Sequence, residues 1–284
     1  MPTNQPTVAG RDLGAELRLL REARNISSRK VAERLGWAQS KISRIETGKQ
    51  SIKPEDVASL LALYDVIGRD REYLIEKASR SDESGLVEKN GGQGSLSRES
   101  RTLIHLEAKA TAIYSLEMLL IPGLLQTPEY TRALLQAFHA PGEDIEVRVA
   151  ARMGRQAILT RDKPPRLEFI IDEGALRRQA LPSKLMARQL RHLTEAAERP
   201  NVSLRVLSSQ LGAHSGLDGP FTMLEFGKNK PVVHVEHKIS GLFMEEEYEV
   251  TFFREELDNL RSVALSPQDS VDLIASMAKD KDEG

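Results

Sequence analysis

The chain has no cysteine in 284 residues. That excludes disulfides and thiolate metal sites, and it is the usage expected of a protein in a reducing cytoplasm. A long apolar run is also missing. Nothing approaches the ~18 residues of a membrane span, and the longest candidate, around Met118 to Leu125, is cut by Pro122 and Gly123. The first ten residues, MPTNQPTVAG, lack the basic-then-apolar pattern of a secretory signal. A cytoplasmic protein that does not engage a membrane is expected. No internal repeat is found.

Apolar residues make up 40% of the chain and charged residues 29%, the balance of a folded, soluble protein. The length suits roughly two domains of about 100–200 residues each. Net charge is −2, but it divides unevenly. Residues 1–80 carry 15 Lys+Arg and 11 Asp+Glu, a net of +4; the remaining 25 basic and 31 acidic residues give −6. Only the N-terminal part is expected to face a polyanion. With so modest an excess, the placement of the charges matters more than their sum.

Residues 1–10 hold two prolines and no periodic pattern and read as a flexible arm. Five short helices are then expected within residues 11–80. The first runs from Asp12 to Arg24 on Leu13, Leu17 and Leu20 at helical spacing. The second follows Ser27, a good N-cap, and stops at Gly36. The third spans about Gln39 to Glu46, the fourth starts at Pro54, and the fifth covers about Asp70 to Ser79. Residues 81–101 are rich in serine, glycine and charge and read as a linker. Beyond it, residues 102–284 are expected to form an α+β domain with a small, mainly antiparallel sheet. Helices are expected at Thr102–Leu120, Ile145–Leu159, Lys184–Glu198, Glu247–Val263 and Pro267–Met277, and strands at Arg166–Ile171, Ser203–Leu207, Phe221–Phe226 and Val232–His237. The fold class is therefore an all-α five-helix domain followed by an α+β domain.

The stretch GWAQSKISRIETGK (Gly36–Lys49) spends a helix-length segment on few core residues and many long polar ones. Two helices joined by a tight turn at Gly36 must cross steeply, packing Val31, Ala32, Leu35, Ile42 and Ile45 at the crossing. The outer face of the third helix is thereby held proud of the surface, at a width that fits the DNA major groove. Gln39, Ser40, Lys41, Ser43 and Arg44 face outward as base readers: Gln pairs with adenine, and Arg or Lys with guanine. Arg18, Ser28, Arg29 and Lys49 are assigned to the DNA backbone. A single copy makes few contacts, so a homodimer on a two-fold operator is expected, its half-sites ~34 Å apart.

VAERLG (Val31–Gly36) followed by SKISRIETGK (Ser40–Lys49) resembles the Xre/lambda-repressor-like helix-turn-helix family. The resemblance implies a DNA-binding regulator. It departs from the family at Ser28, where Gln is usual, at Trp37, where a smaller aliphatic is usual, and at Ala38. There Ser or Thr would cap the helix, and the loss costs about 0.5–2 kcal/mol.

The segments LLIPGLLQTPEYTRALL (Leu119–Leu135), VAARMGRQAILTR (Val149–Arg161), IDEGALRR (Ile171–Arg178), QLRHLTEAAERPNVSLRVL (Gln189–Leu207) and GAHSGLDGPFTMLEF (Gly212–Phe226) resemble the antitoxin-like effector region that follows such helix-turn-helix domains in actinobacterial regulators. That resemblance implies control by a small partner protein encoded nearby, or by a ligand. It supplies no known chemistry.

A rival reading is a DNA-tethered enzyme or metal-binding domain using His214, Asp218 and Glu236. Against it, His234 and His237 in the strand VHVEH point to opposite faces, because side chains alternate with a period of two. No cofactor, no metal and no catalytic residue are expected. Three further features read first as ordinary surface or structure, each with an alternative: Arg148, Arg152 and Arg155 as a solvated basic stripe or a match for a partner's acids, Glu245–Glu247 with Glu249 as a solvated acidic run or a surface that meets a partner or bars DNA, and Pro122–Leu125 as a corner or the lip of an apolar groove.

Overall fold

The structure, a computed structural model, describes residues 7–79, 86–89, 98–138, 144–237 and 240–283. Thr7 opens the first helix: its hydroxyl accepts from the Gly10 N–H, and α1 runs Val8–Ala23. Ser27 caps α2 (Ser28–Leu35) in the same way through the Lys30 N–H, and Gly36 ends it at φ 66°, in the left-handed region that glycine tolerates. α3 is Gln39–Glu46, α4 is Pro54–Leu63 with its proline in the first turn, and α5 is Gly68–Ser79. Leu13, Leu17, Val31, Ile42, Ile45, Val57, Leu60, Leu61 and Leu74 close over one core.

Val8–Gly10, expected in a flexible arm, form the first turn of α1, and Val8 and Ala9 are buried. Val8 packs not in the helical core but in the core of the C-terminal region, beside Leu106 and Phe243. No local periodicity could announce this, because the partner lies more than ninety residues away.

A short strand, β1 (Leu86–Lys89), comes from the segment read as a linker, and α6 (Arg98–Lys109) starts within it. Next come β2 (Ala112–Glu117), α7 (Pro128–Phe138), α8 (Ile145–Arg155), β3 (Arg166–Asp172), α9 (Glu173–Arg177), α10 (Ser183–Ala197), β4 (Val202–Leu207), β5 (Phe221–Glu225), β6 (Val232–His237), β7 (Ser240–Met244), α11 (Glu247–Val263) and α12 (Pro267–Glu283). The single helix expected over Thr102–Leu120 is thus a helix and a strand.

Six strands of the C-terminal region, with β1 added at the edge, form one sheet in the order β1-β7-β6-β5-β2-β3-β4. The sheet is mixed, not mainly antiparallel: β2, β3 and β4 run parallel, and the other neighbours run antiparallel. Parallel neighbours need a helical crossover. The chain supplies one through α7 and α8 and another through α10. One face carries α6, α7, α10 and α12 over Ile113, Phe169, Leu204 and Phe243; the other carries α11 over Tyr114, Leu116, Met223 and Val233. The result is three layers around a central sheet.

Candidate functional site

The outer face of α3 stands clear of the rest of the molecule. Gln39, Ser40, Ser43 and Arg44 are exposed and Lys41 is half-buried. The Gln39 amide lies 3.5 Å from the Ser28 hydroxyl, so the starts of α2 and α3 come together. Arg44 donates from Nε to Gln50 at 3.0 Å. Lys41 leans out of the row: its Nζ sits 3.7 Å above the Trp37 ring and 2.9 Å from Asp56. That pair is part-exposed and worth only about 0–1 kcal/mol, weak enough for a phosphate to compete. Trp37 therefore packs over the turn and holds Lys41. Ala38 precedes α3 with no side-chain cap.

Of the residues assigned to the DNA backbone, Arg29 pairs with Glu33 at 2.9 Å and Arg18 with Glu22 at 2.7 Å, both exposed i,i+4 pairs. Lys49 is exposed. Arg18 also lies close enough to His105 and Lys109 on α6 to lower both their pKa values, behind larger effects of burial.

Beneath this face is a rigid seat. Arg21 of α1 grips Glu46 at the end of α3 through two bonds, 2.6 and 2.9 Å, and donates to the Ile26 carbonyl at 2.8 Å. Such forked, charge-assisted pairs are the strong ones. Gly14 lets the two helices touch: a Cβ there would collide with the Ile45 carbonyl oxygen. Gly48 sits at φ 72°, and a Cβ there would meet the Arg11 Cα at 2.7 Å. The Glu46 and Gly48 of the motif thus position the outer row rather than belong to it.

The helical part is fastened to the sheet by buried charges. Both carboxylate oxygens of Glu245 accept from the Val8 N–H, at 2.8 and 2.9 Å, and Arg11 lies 3.5 Å away. Asp12 binds Lys77 of α5 and accepts from the Thr102 hydroxyl of α6 at 2.8 Å. His105 of α6 faces the same seam with no partner for Nε2. Burial, then the Lys109 charge, push its pKa down to about 4. The acidic run after β7 is only in part a solvated face, with Glu247 exposed. Glu245 is buried in the seam, and Glu246 with Glu249 forms the capping box of α11.

A second concave feature lies between the sheet and α6, α7 and α8: a pocket of about 220 Å³. Its floor is polar. Ser115, Thr222 and His234 sit side by side in register on β2, β5 and β6. Two residues further along, Glu117 and Glu236 share that face, because side chains alternate. His234 bonds Glu99 of α6 at 2.8 Å and stacks on Phe243 at 4.5 Å. One wall is cationic. Arg155 forks onto Glu107 of α6 at 2.7 and 2.9 Å, and Arg152 donates to Gln126 at 2.9 Å. Burial lowers the Arg152 pKa, and burial, reinforced by the Glu236 charge, pushes Glu117 up to about 7. The remaining wall is apolar, with Leu103, Leu120, Leu134, Leu135 and Phe138.

Two sequence readings are corrected here. Arg152 and Arg155 line this pocket instead of a solvated face, and Pro122–Leu124 form part of its rim. The stripe did have helical period, but period alone does not say which way a face points.

The residues of the metal or enzyme reading do not converge. His214 lies 4.0 Å from Asp172 and beside Gly216, which approaches Leu260 of α11, on the opposite face of the sheet from Glu236. Asp218 is exposed. Among the described residues, no group of three or more His, Cys, Asp or Glu could hold a metal ion, and no helix is long and apolar enough to cross a membrane.

Comparison with known families matches residues 12–74 to a helix-turn-helix domain and residues 100–276 to a domain of unknown function, DUF5753. No curated protein and no solved structure matches the chain.

Proposed function

The chain belongs to the DUF5753 family and carries a helix-turn-helix domain ahead of that region; from this premise we propose that it is a sequence-specific transcription regulator of the Xre type. The observation that carries the reading is the exposed row on α3 (Gln39, Ser40, Ser43 and Arg44), seated on the Arg21–Glu46 clamp. Gln39 and Arg44 have the chemistry to read adenine and guanine edges. Ser28, Arg29 and Lys49 flank them as backbone contacts, with Lys41 recruited from Asp56 when phosphate competes.

The working form is a homodimer on a two-fold operator, in the cytoplasm. The C-terminal domain receives a small partner protein, as in an antitoxin-like pair, or a ligand, and changes the spacing of the two reading helices. A few kcal/mol of differential binding is enough to shift occupancy. No catalytic role is assigned to the chain.

The test is a selection of bound duplexes from a random pool, followed by shift assays on the selected site. Arg44→Ala is expected to weaken binding by about 1–3 kcal/mol and to relax preference at one base position, whereas Lys49→Ala weakens all sequences alike. Recovery of no preferred sequence, or an Arg44→Ala chain that binds the selected site as the parent does, removes the reading.

A further inference from the structure

The pocket between the sheet and helices α6–α8 holds charges of both signs that feel one another without forming a direct ion pair. Arg152 reaches only the neutral Gln126, and neither Glu117 nor Glu236 forms an ion pair among the described residues. Glu117 accepts a bond from Ser115 at 3.1 Å and otherwise opens to the pocket. Yet the three charges are near enough to feel one another. Glu117 and Arg152 are partly desolvated while Glu236 is exposed, and a partly desolvated charge without a direct partner lowers the stability of the fold unless something else pairs with it.

The strand registers give their layout. Ser115 pairs with Thr222, and Thr222 with His234. Glu117 and Glu236 therefore flank Pro220 on one sheet face, two interstrand spacings or ~10 Å apart at Cα. Both side chains line the pocket, and the Glu236 charge is felt at Glu117. Arg152 lines the same pocket, as do Leu134, Leu135 and Phe138 of α7. The volume, about 220 Å³, is below the ~300–1,000 Å³ of drug-sized sites and admits only a small occupant.

We propose that this pocket binds a small apolar zwitterion, its amine held between Glu117 and Glu236, its acid group on Arg152, and its hydrocarbon part on the α7 wall. The chemistry is that of a free apolar amino acid. The same occupancy bears on the DNA-binding domain through α6. That helix presents Leu103 and Glu107 to the pocket and Glu99 to His234, while its Thr102 holds Asp12 of α1. The effect on DNA rests on the regulator reading; the binding itself does not.

The experiment is calorimetry on the full chain, without DNA. The probes are the apolar α-amino acids and the ω-amino acids of about four to eight carbons, each with its N-acetyl and carboxamide derivatives. At least one zwitterion is expected to bind at about 1 mM or tighter, and either blocked form roughly tenfold or more weaker. A bound ammonium favours ionised Glu117, so protons are released near pH 7 and the measured heat changes with buffer. Glu117→Gln is expected to abolish that release and weaken the zwitterion roughly tenfold while leaving the N-acetyl form unchanged. Glu236→Gln gives a second reading should the first variant fold poorly. If no probe binds, if blocked forms bind equally well, or if both variants bind as the parent does, the site assignment is overturned. If a zwitterion binds but leaves affinity for a selected duplex unchanged, the link through α6 is overturned and the site stands.

Discussion

Helices α1 and α3 belong to one small helical domain and are both rich in charge, but they use it in opposite ways. On α1, Arg11 and Asp12 are buried at the seam, Arg11 against Glu245 and Asp12 against Lys77 of α5 and Thr102 of α6. On α3, Gln39, Ser43 and Arg44 point to solvent and their contacts are long or exposed. Charges in the seam are paired and hold position; on α3, Lys41 and Glu46 are paired within the domain, and Arg44 faces no carboxylate among the described residues and is open to something outside the molecule. Four substitutions or conditions break or sharpen this contrast.

The largest effect is expected at the clamp that joins the two helices. Glu46→Ala leaves the Arg21 guanidinium with only the Ile26 carbonyl and the longer Glu22 contact and should cost about 3 kcal/mol in urea unfolding. The double change Arg21→Met with Glu46→Leu should restore much of that loss, because an apolar pair carries no desolvation penalty. A loss under about 1 kcal/mol for the single change would mean that α3 is seated by packing alone.

At the seam, Glu245→Gln keeps an acceptor for the Val8 N–H but removes the charge facing Arg11. A loss of about 1.5–3 kcal/mol is expected, together with faster proteolysis near Val8. Unchanged proteolysis would show that the first turn of α1 is held by Val8 packing.

Acid should act on the seam before it acts on α3. His105 is held neutral, with its pKa at about 4 against an ordinary value of 6.5. The unfolded chain takes up a proton in that window and the folded chain refuses it. Stability is therefore complete above about pH 6.5 and falls as pH drops toward 4. Between pH 7 and 5 the loss is of order 1–2 kcal/mol, and His105→Asn should flatten it. A variant with the parent's pH profile would place the titration elsewhere.

The smallest effect is a gain. Ala38→Ser offers the missing cap to α3 and should add about 0.5–1 kcal/mol to thermal stability. No gain would imply that the Trp37–Lys41 packing already fixes the start of the helix.

Much of the helical domain is legible in the sequence, since its helices are amphipathic and their stops are chemical. Gln39–Glu46 and the stop at Gly36 are readable from Ile42, Ile45 and the glycine itself. Glu247–Val263 is readable in the same way. β2 is not, because Ala112–Leu116 are buried on both faces and show no alternation. Missing that strand hides the parallel half of the sheet and the floor of the pocket. The pocket itself brings together Glu117, Arg152 and Glu236 from separate segments, and only the sheet registers and the packing of α8 bring them to one place. Glu245 presents a different difficulty: within an acidic run, nothing local distinguishes the one buried carboxylate from its solvated neighbours.

The central claim is that the α3 face reads DNA sequence. Its most direct measurement is fluorescence anisotropy of the full chain on a selected duplex and on a scrambled one, across a series of salt concentrations. The account predicts affinity at least about 10³-fold tighter for the selected duplex, with both affinities falling linearly in log–log form as salt rises. Equal affinity for the two duplexes at every salt concentration would contradict it.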